Sequence, residues 1–214
     1  MVIIVVLVMS SFSMAGEKPR DREWRELFDG KDLKGWRLNP TNYWVVKDGE
    51  IAWKESAVDL WTEEEFGDFV LELEFKCSAG CNSGVFIRTG DIRDNVQSGL
   101  EIQIFDSVGK TKMEKHYCAA IYDALAPAKN AERKIGEWNE MRITARGAAI
   151  VVELNGERVI EMDLEKWSEA GKNPDGTGNK FKKALKDFPR RGFIGLQDHH
   201  KAVWFRKIRI RAAD

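Results

Sequence analysis

The chain has no surplus charge: 34 Lys and Arg stand against 35 Asp and Glu in 214 residues, for a net charge of −1. A nucleic-acid binder normally carries a basic excess or stripe, so this balance excludes that class. Common catalytic and phosphate-binding signatures are also missing. There is no Walker loop, no Gly-x-Gly-x-x-Gly after a strand, no Gly-x-Ser-x-Gly elbow and no His-Glu-x-x-His. Those absences leave no case for a nucleotide cofactor, a serine-hydrolase nucleophile or a zincin site. Cysteine is scarce as well, with only Cys77, Cys81 and Cys118. Three thiols without a second closely spaced pair give poor ligand spacing for zinc. Two readings stay open, buried thiols or one Cys77–Cys81 bridge stapling the Ser78-Ala79-Gly80 turn.

Charge is absent altogether from residues 1–15, where Val2 to Met9 is continuously apolar and Ser13-Met14-Ala15 offers small residues before Gly16. This matches the apolar region and cleavage site of a signal peptide. The run is too short to span a bilayer, which takes about 20 apolar residues. The expectation is an exported protein, periplasmic or extracellular, with no membrane span in a mature chain of residues 16–214. A buried N-terminal strand is the alternative, since Val and Ile are good strand formers.

Long helical periodicity is the next absence. What is present from residue 43 onward is strand, turn, strand. Tyr43–Val46 and Ile51–Trp53 flank an Asp48-Gly49 hairpin signal, and Asn155-Gly156 is a second. Phe69–Phe75 alternates, with Glu72 and Glu74 on one face and Leu71, Leu73 and Phe75 on the other. Gly84–Thr89, Leu100–Phe105, Glu140–Ala145, Ala149–Leu154, Arg158–Met162, Phe193–Leu196 and Val203–Ile210 are further strand candidates. Short helical turns are expected over Thr62–Phe66, Leu164–Ala170 and Phe181–Phe188. Many short strands with regular turns predict a single all-β domain, a sandwich or jelly roll with a few short helices.

Three segments put polar groups where a purely structural strand does not need them. In Asn82–Arg88, alternation places Asn82, Phe86 and Arg88 opposite Val85 and Ile87. In Gly99–Asp106, Glu101 and Gln103 oppose Leu100, Ile102 and Ile104. Such a face is also what an antiparallel sheet shows to water. In Gly192–His200, Asp198 precedes His199 and His200 at the end of an apolar strand. Histidine serves as base or metal ligand near neutral pH, and a neighbouring carboxylate fixes its tautomer. An exposed loop is the competing reading. Trp61 precedes an expected loop, where an exposed indole would stack on a sugar, although a packed aromatic is the commoner use.

The same residues resemble a family, the 3-keto-disaccharide hydrolase domain family of the concanavalin A-like lectin/glucanase superfamily. The matching stretches are Leu27–Trp36, Trp44–Ile51, Asn82–Arg88, Gly99–Ile104, Ala120–Asp123, Gly136–Asn139, Leu154–Gly156 and Gly195–His199, in order along the chain. The resemblance implies a concanavalin A-like jelly-roll β-sandwich of two antiparallel sheets. It also implies a 3-keto-glycoside as substrate. A ketone at C3 acidifies the C2 proton, whose removal leads through an enolate to loss of the C1 oxygen, and water then adds to the enone. The chemistry needs a base, an enolate stabiliser and an acid. On this implication His199 is the base or a metal ligand, oriented by Asp198, and Glu101 is the alternative base or ligand. Arg88 would stabilise the enolate. Gln103 would hold sugar hydroxyls or a cation's water, and Asn82, Tyr122 and Gln197 would contact the sugar. A divalent metal is allowed, Ca²⁺ or Mg²⁺ on oxygen ligands or a transition ion on His. The chain departs from the family at His200, where Gly is usual and where the histidine adds bulk or a second ligand beside the substrate, and at Ala119, another usual Gly. The alternative function is a non-catalytic, lectin-like carbohydrate-binding module, since this fold hosts both.

Overall fold

The structure, a computed structural model, describes residues 23–37, 44–54 and 58–213. The expected signal segment, residues 1–15, lies outside them, as does Tyr43.

Among the described residues twelve strands follow in chain order: β1 (Arg25–Phe28), β2 (Val45–Lys47), β3 (Glu50–Ala52), β4 (Leu60–Phe66), β5 (Phe69–Cys77) and β6 (Asn82–Thr89). They continue as β7 (Leu100–Phe105), β8 (Trp138–Arg146), β9 (Ala149–Leu154), β10 (Glu157–Asp163), β11 (Gly192–Leu196) and β12 (Val203–Ala212). All the described pairings are antiparallel. The larger sheet runs β10-β9-β8-β5-β12-β3-β2, with β1 also on β12, and the smaller runs β4-β11-β6-β7. This is the expected jelly-roll sandwich. Among the described residues the helices are single turns: α1 (Asn95–Ser98) and 3-10 turns at Ile92–Asp94, Leu164–Lys166 and Leu185–Asp187.

Alternation builds the core. Leu71, Leu73 and Phe75 of β5 face Val85, Ile87, Ile102, Ile104, Ile194 and Leu196 of the smaller sheet, all buried in one cluster. Each fully buried side chain of this size contributes roughly 1.5–3 kcal/mol. On the outer face Glu72 pairs with Arg142 and Arg209 across both neighbouring strands, and Glu74 with Arg206 and Lys207. Opposite charges directly across a ladder pin its register. Asp48-Gly49 and Asn155-Gly156 have positive φ at both residues, 54° and 77°, then 54° and 81°, the geometry of type I′ hairpins.

The helical turn expected at Thr62–Phe66 is instead the second half of β4. Thr62 Oγ1 accepts from Ile194 N at 3.0 Å, which fixes the segment to β11. Glu63, Glu64 and Glu65 are exposed because β4 is an edge strand, and charge on an edge discourages pairing with another chain. The expected helices at Leu164–Ala170 and Phe181–Phe188 shrink to the two 3-10 turns above. Cys77 and Cys81 form the local disulfide, with Cα atoms 5.5 Å apart, and Cys118 is a buried free thiol. The bridge closes the β5–β6 turn and sets the start of β6 at Asn82.

Candidate functional site

The outer face of the smaller sheet carries the site. Strand register places residues side by side across it. One row reads Trp61, Gly195, Phe86, Glu101, and the next continues from the Leu196–Val85 and Gly84–Gln103 pairs to bring Gln197 beside Gly84 and Gln103. Gln197 N donates to Gly84 O at 2.8 Å, which keeps the strand line going past the end of β11. Two glycines make this floor. A Cβ at Gly195 would sit 2.5 Å from the Trp61 ring, and one at Gly84 2.9 Å from Glu101 Oε1. Glu101 therefore folds its carboxylate over Gly84, toward Gln197.

That carboxylate is well held. Gln197 Nε2 donates to Glu101 Oε1 at 3.0 Å. The Gln103 amide, with its nitrogen turned toward Glu101, donates to the same oxygen at 2.8 Å and to Ser83 O at 3.2 Å. Lys180 Nζ stands 3.9 Å from Glu101 Oε2. The Gln197 Oε1 atom is buried with no hydrogen-bond partner among the described residues. An acceptor in that state is costly unless something donates to it.

Two loops bring the remaining groups. Residues Ala119–Tyr122 run along the free edge of β7, with Gln103 N donating to Ala120 O and Tyr122 N to Glu101 O, both at 2.9 Å. The Tyr122 ring lies 3.9 Å from Lys180 Nζ, a cation–π contact, and 4.8 Å from the His116 ring. Asp123 accepts from Lys180 N at 2.6 Å and so ties the 171–181 loop to this edge. Buried Asn173 anchors the same loop, donating to Asp123 O and accepting from Trp167 Nε1 at 2.9 Å. On the other side, Asp59 precedes β4. It accepts from Asp198 N at 2.9 Å and from Asn95 Nδ2 of α1 at 3.0 Å.

Burial sets the protonation states. It pushes the Glu101 carboxyl up to about 7, with Asp59 adding like-charge repulsion while Lys180 and Gln197 hold it back. Burial also raises Asp59, aided by the Asp198 charge. It lowers Lys180, against the attraction of Glu101 and Asp123. A carboxyl poised near neutrality beside a cation is the arrangement a general base requires.

Of the residues singled out in the sequence, Glu101, Gln103, Gln197, Asn82 and Tyr122 converge here. The Gln103 amide lies 3.0 Å from that of Asn82. Trp61 also faces the floor, yet it is only 6% exposed, stacked on Phe86 at 5.2 Å, so it packs rather than offering an open ring. Arg88 does not join them. A φ of 51° breaks the strand alternation, and its guanidinium donates to Gly67 O, Gly147 O and Asp68 at a buried end of the sandwich. Asp198 does not orient His199: its carboxylate accepts from Trp53 Nε1 and His200 N, and it faces His200 Nδ1 at 3.4 Å. His199 is exposed, near enough to Asp59 for its positive form to favour that carboxylate.

Lys180 and Asp59 were not legible as site residues. Lys180 sits in a Gly- and Asn-rich excursion with no periodicity, and Asp59 precedes a segment that reads as a helical turn. Among the described residues no three His, Cys, Asp or Glu side chains cluster as ligands, and Glu101 already faces an ammonium and amide N–H groups. Ala119 and His200, where the resemblance leads one to expect glycine, have φ of 68° and 58°, a region that favours Gly.

Comparison with known proteins follows the same lines. Residues 23–211 match the profile of the 3-keto-alpha-glucoside-1,2-lyase-like domain. A 3-keto-disaccharide hydrolase of Bacteroides thetaiotaomicron is 27% identical over 225 aligned positions, covering 88% of this chain and 78% of that protein. The crystal structure of a candidate glycosyl hydrolase from Parabacteroides distasonis superposes with a TM-score of 0.82 at 39% identity, covering 89% of this chain and all of the other. A Bacillus subtilis protein with a galectin-like fold, at 13% identity and TM-score 0.58 over 90% and 96% of the two chains, shares the fold.

Proposed function

The chain belongs to the 3-keto-alpha-glucoside-1,2-lyase-like domain family, and from that premise we propose that it cleaves 3-keto-glycosides by elimination and hydration. The relatives' names support a carbohydrate-active, hydrolase-like protein. The observation that carries the finer reading is Glu101, a buried carboxyl with a pKa of about 7 lying 3.9 Å from the Lys180 ammonium.

Glu101 removes the C2 proton, made acidic by the C3 ketone. The electron pair left at C2 moves onto the ketone oxygen, where the Lys180 ammonium stabilises the developing enolate. Such preorganised charge is commonly the largest catalytic contribution. As the enolate collapses, the C1–O bond breaks and the first sugar leaves with a proton. Water then adds to C1 of the enone, and C2 takes its proton back from Glu101. Gln197 Oε1, buried and unpartnered, accepts from a sugar hydroxyl, and Gln103 and Asn82 complete the polar floor. Tyr122 keeps Lys180 in place through its ring face.

The test is incubation with 3-keto-trehalose, following free sugar release and C2 deuterium exchange in D₂O. Turnover that survives exhaustive chelation, and that Glu101→Gln and Lys180→Met abolish, is the expected result. Firm binding of unoxidised glycans without turnover of any keto-glycoside would instead establish the lectin-like reading.

A further inference from the structure

The elimination proposed above needs a second proton carrier, and Glu101 cannot be it. In an α-gluco-configured ring the C2–H bond and the C1–O bond are both axial and point to opposite faces. The base at C2 and the acid at C1 must therefore approach the sugar from opposite sides. One carboxyl cannot serve both faces in the same turnover, so a distinct group is required at the C1 oxygen.

We infer that Asp59 is this acid: it protonates the leaving C1 oxygen and, once ionised, takes a proton from the water that adds to the enone. The geometry supports it. The carboxylate of Asp59 is held by two donors from separate elements, Asp198 N at 2.9 Å and Asn95 Nδ2 at 3.0 Å. The adjacent residues Gln197 and Asp198 reach the two carboxyls separately. The Gln197 side chain donates to Glu101, and the backbone N–H of Asp198 donates to Asp59. Asp59 immediately precedes β4 and its carboxylate is held where the chain leaves β11, whereas Glu101 folds its carboxylate over Gly84 of β6. The two carboxyls are thus fixed over different strands of one floor, each by its own donors. Asp59 adds like-charge repulsion at Glu101.

Protons and bonds balance over the cycle. Glu101 gains the C2 proton as the C1–O bond breaks, and Asp59 loses its proton to the departing oxygen. Water then forms the new C1–O bond and returns a proton to Asp59, while Glu101 returns its own to C2. No oxidant or further reactant is consumed.

This inference rests on the proposed elimination, and its test separates the two. Wild type and Asp59→Asn are compared on 3-keto-trehalose, whose sugar leaving group needs protonation, and on 4-nitrophenyl 3-keto-α-glucoside, whose nitrophenolate does not. Asp59→Asn is expected to lower kcat/KM by about 10²-fold or more on the disaccharide, to lower it less than about tenfold on the aryl substrate, and to retain C2 deuterium exchange. Turnover of the aryl substrate also reports that the variant is folded. Should Asp59→Asn fail to fold, Asp59→Ser carries the same comparison. Equal losses on both substrates, or loss of C2 exchange, would overturn the role of Asp59 and leave Glu101 as base. A wild-type protein that turns over neither substrate would overturn the elimination, and this role with it.

Discussion

A Glu101→Gln substitution keeps the side chain's shape and its hydrogen bond from Gln197 but removes its charge, so it separates what the carboxylate does for the fold from what it does for chemistry. In the folded protein the carboxyl titrates at about 7, against an ordinary 4.5. Between those values the folded state keeps a proton that the unfolded chain has released. Stability from this group is therefore fully present below pH 4.5 and is lost as pH rises through 7. At about 1.4 kcal/mol per pKa unit, the ionised carboxylate costs about 3 kcal/mol at pH 8, about three-quarters of it developing above pH 5. The variant never pays that penalty, although Lys180 loses its partner. Glu101→Gln should match wild type at pH 5 and exceed it by about 2 kcal/mol at pH 8, a rise in Tm on the order of 5 °C. Thermal unfolding at both pH values gives the comparison. In parallel, wild-type kcat/KM on a keto-glycoside should climb through an apparent pKa near 7, and the variant should lose roughly 10²–10⁴-fold. An unchanged Tm difference between pH 5 and 8, or wild-type activity flat from pH 6 to 8, refutes the reasoning.

Three other outcomes follow from the same structure. Arg88→Met should cost about 2–4 kcal/mol, read by urea unfolding, because Asp68 and two backbone carbonyls lose a charged donor; kcat of the folded fraction should be unchanged. His199→Ala should reduce kcat less than tenfold and leave the pH limb near 7 in place, whereas a base at His199 would make that limb vanish. Ala119→Gly and His200→Gly, each relieving a left-handed φ, should raise stability by up to about 1 kcal/mol apiece. A fall in Tm for both would show that these backbones are not strained.

Alternation and turn chemistry are local properties, and they carried most of the fold. Leu71, Leu73 and Phe75 inward with Glu72 and Glu74 outward, the two Asx-Gly hairpins and the polar Glu101–Gln103 face can all be read within about ten residues. Tertiary context overrode them where a segment's partner decided its state. Three consecutive glutamates favour a helical turn until Thr62 bonds to β11 and turns Glu63–Glu65 into a solvated edge. Alternation put Arg88 beside Phe86, and a single positive φ sent it to the far end of the sandwich.

The sequence alone therefore determined an all-β chain with one polar strand face, and a family resemblance on ordered short motifs. Only the tertiary structure decided which groups share that face. It set Lys180 beside Glu101 from 79 residues away, brought Asp59 to the same floor and left His199 in solvent. Periodicity reports which way a side chain points from its own strand. Proximity between strands and covering loops, and the desolvation that lifts Glu101 to about 7, exist only once the sheet has formed and the loops have closed on it.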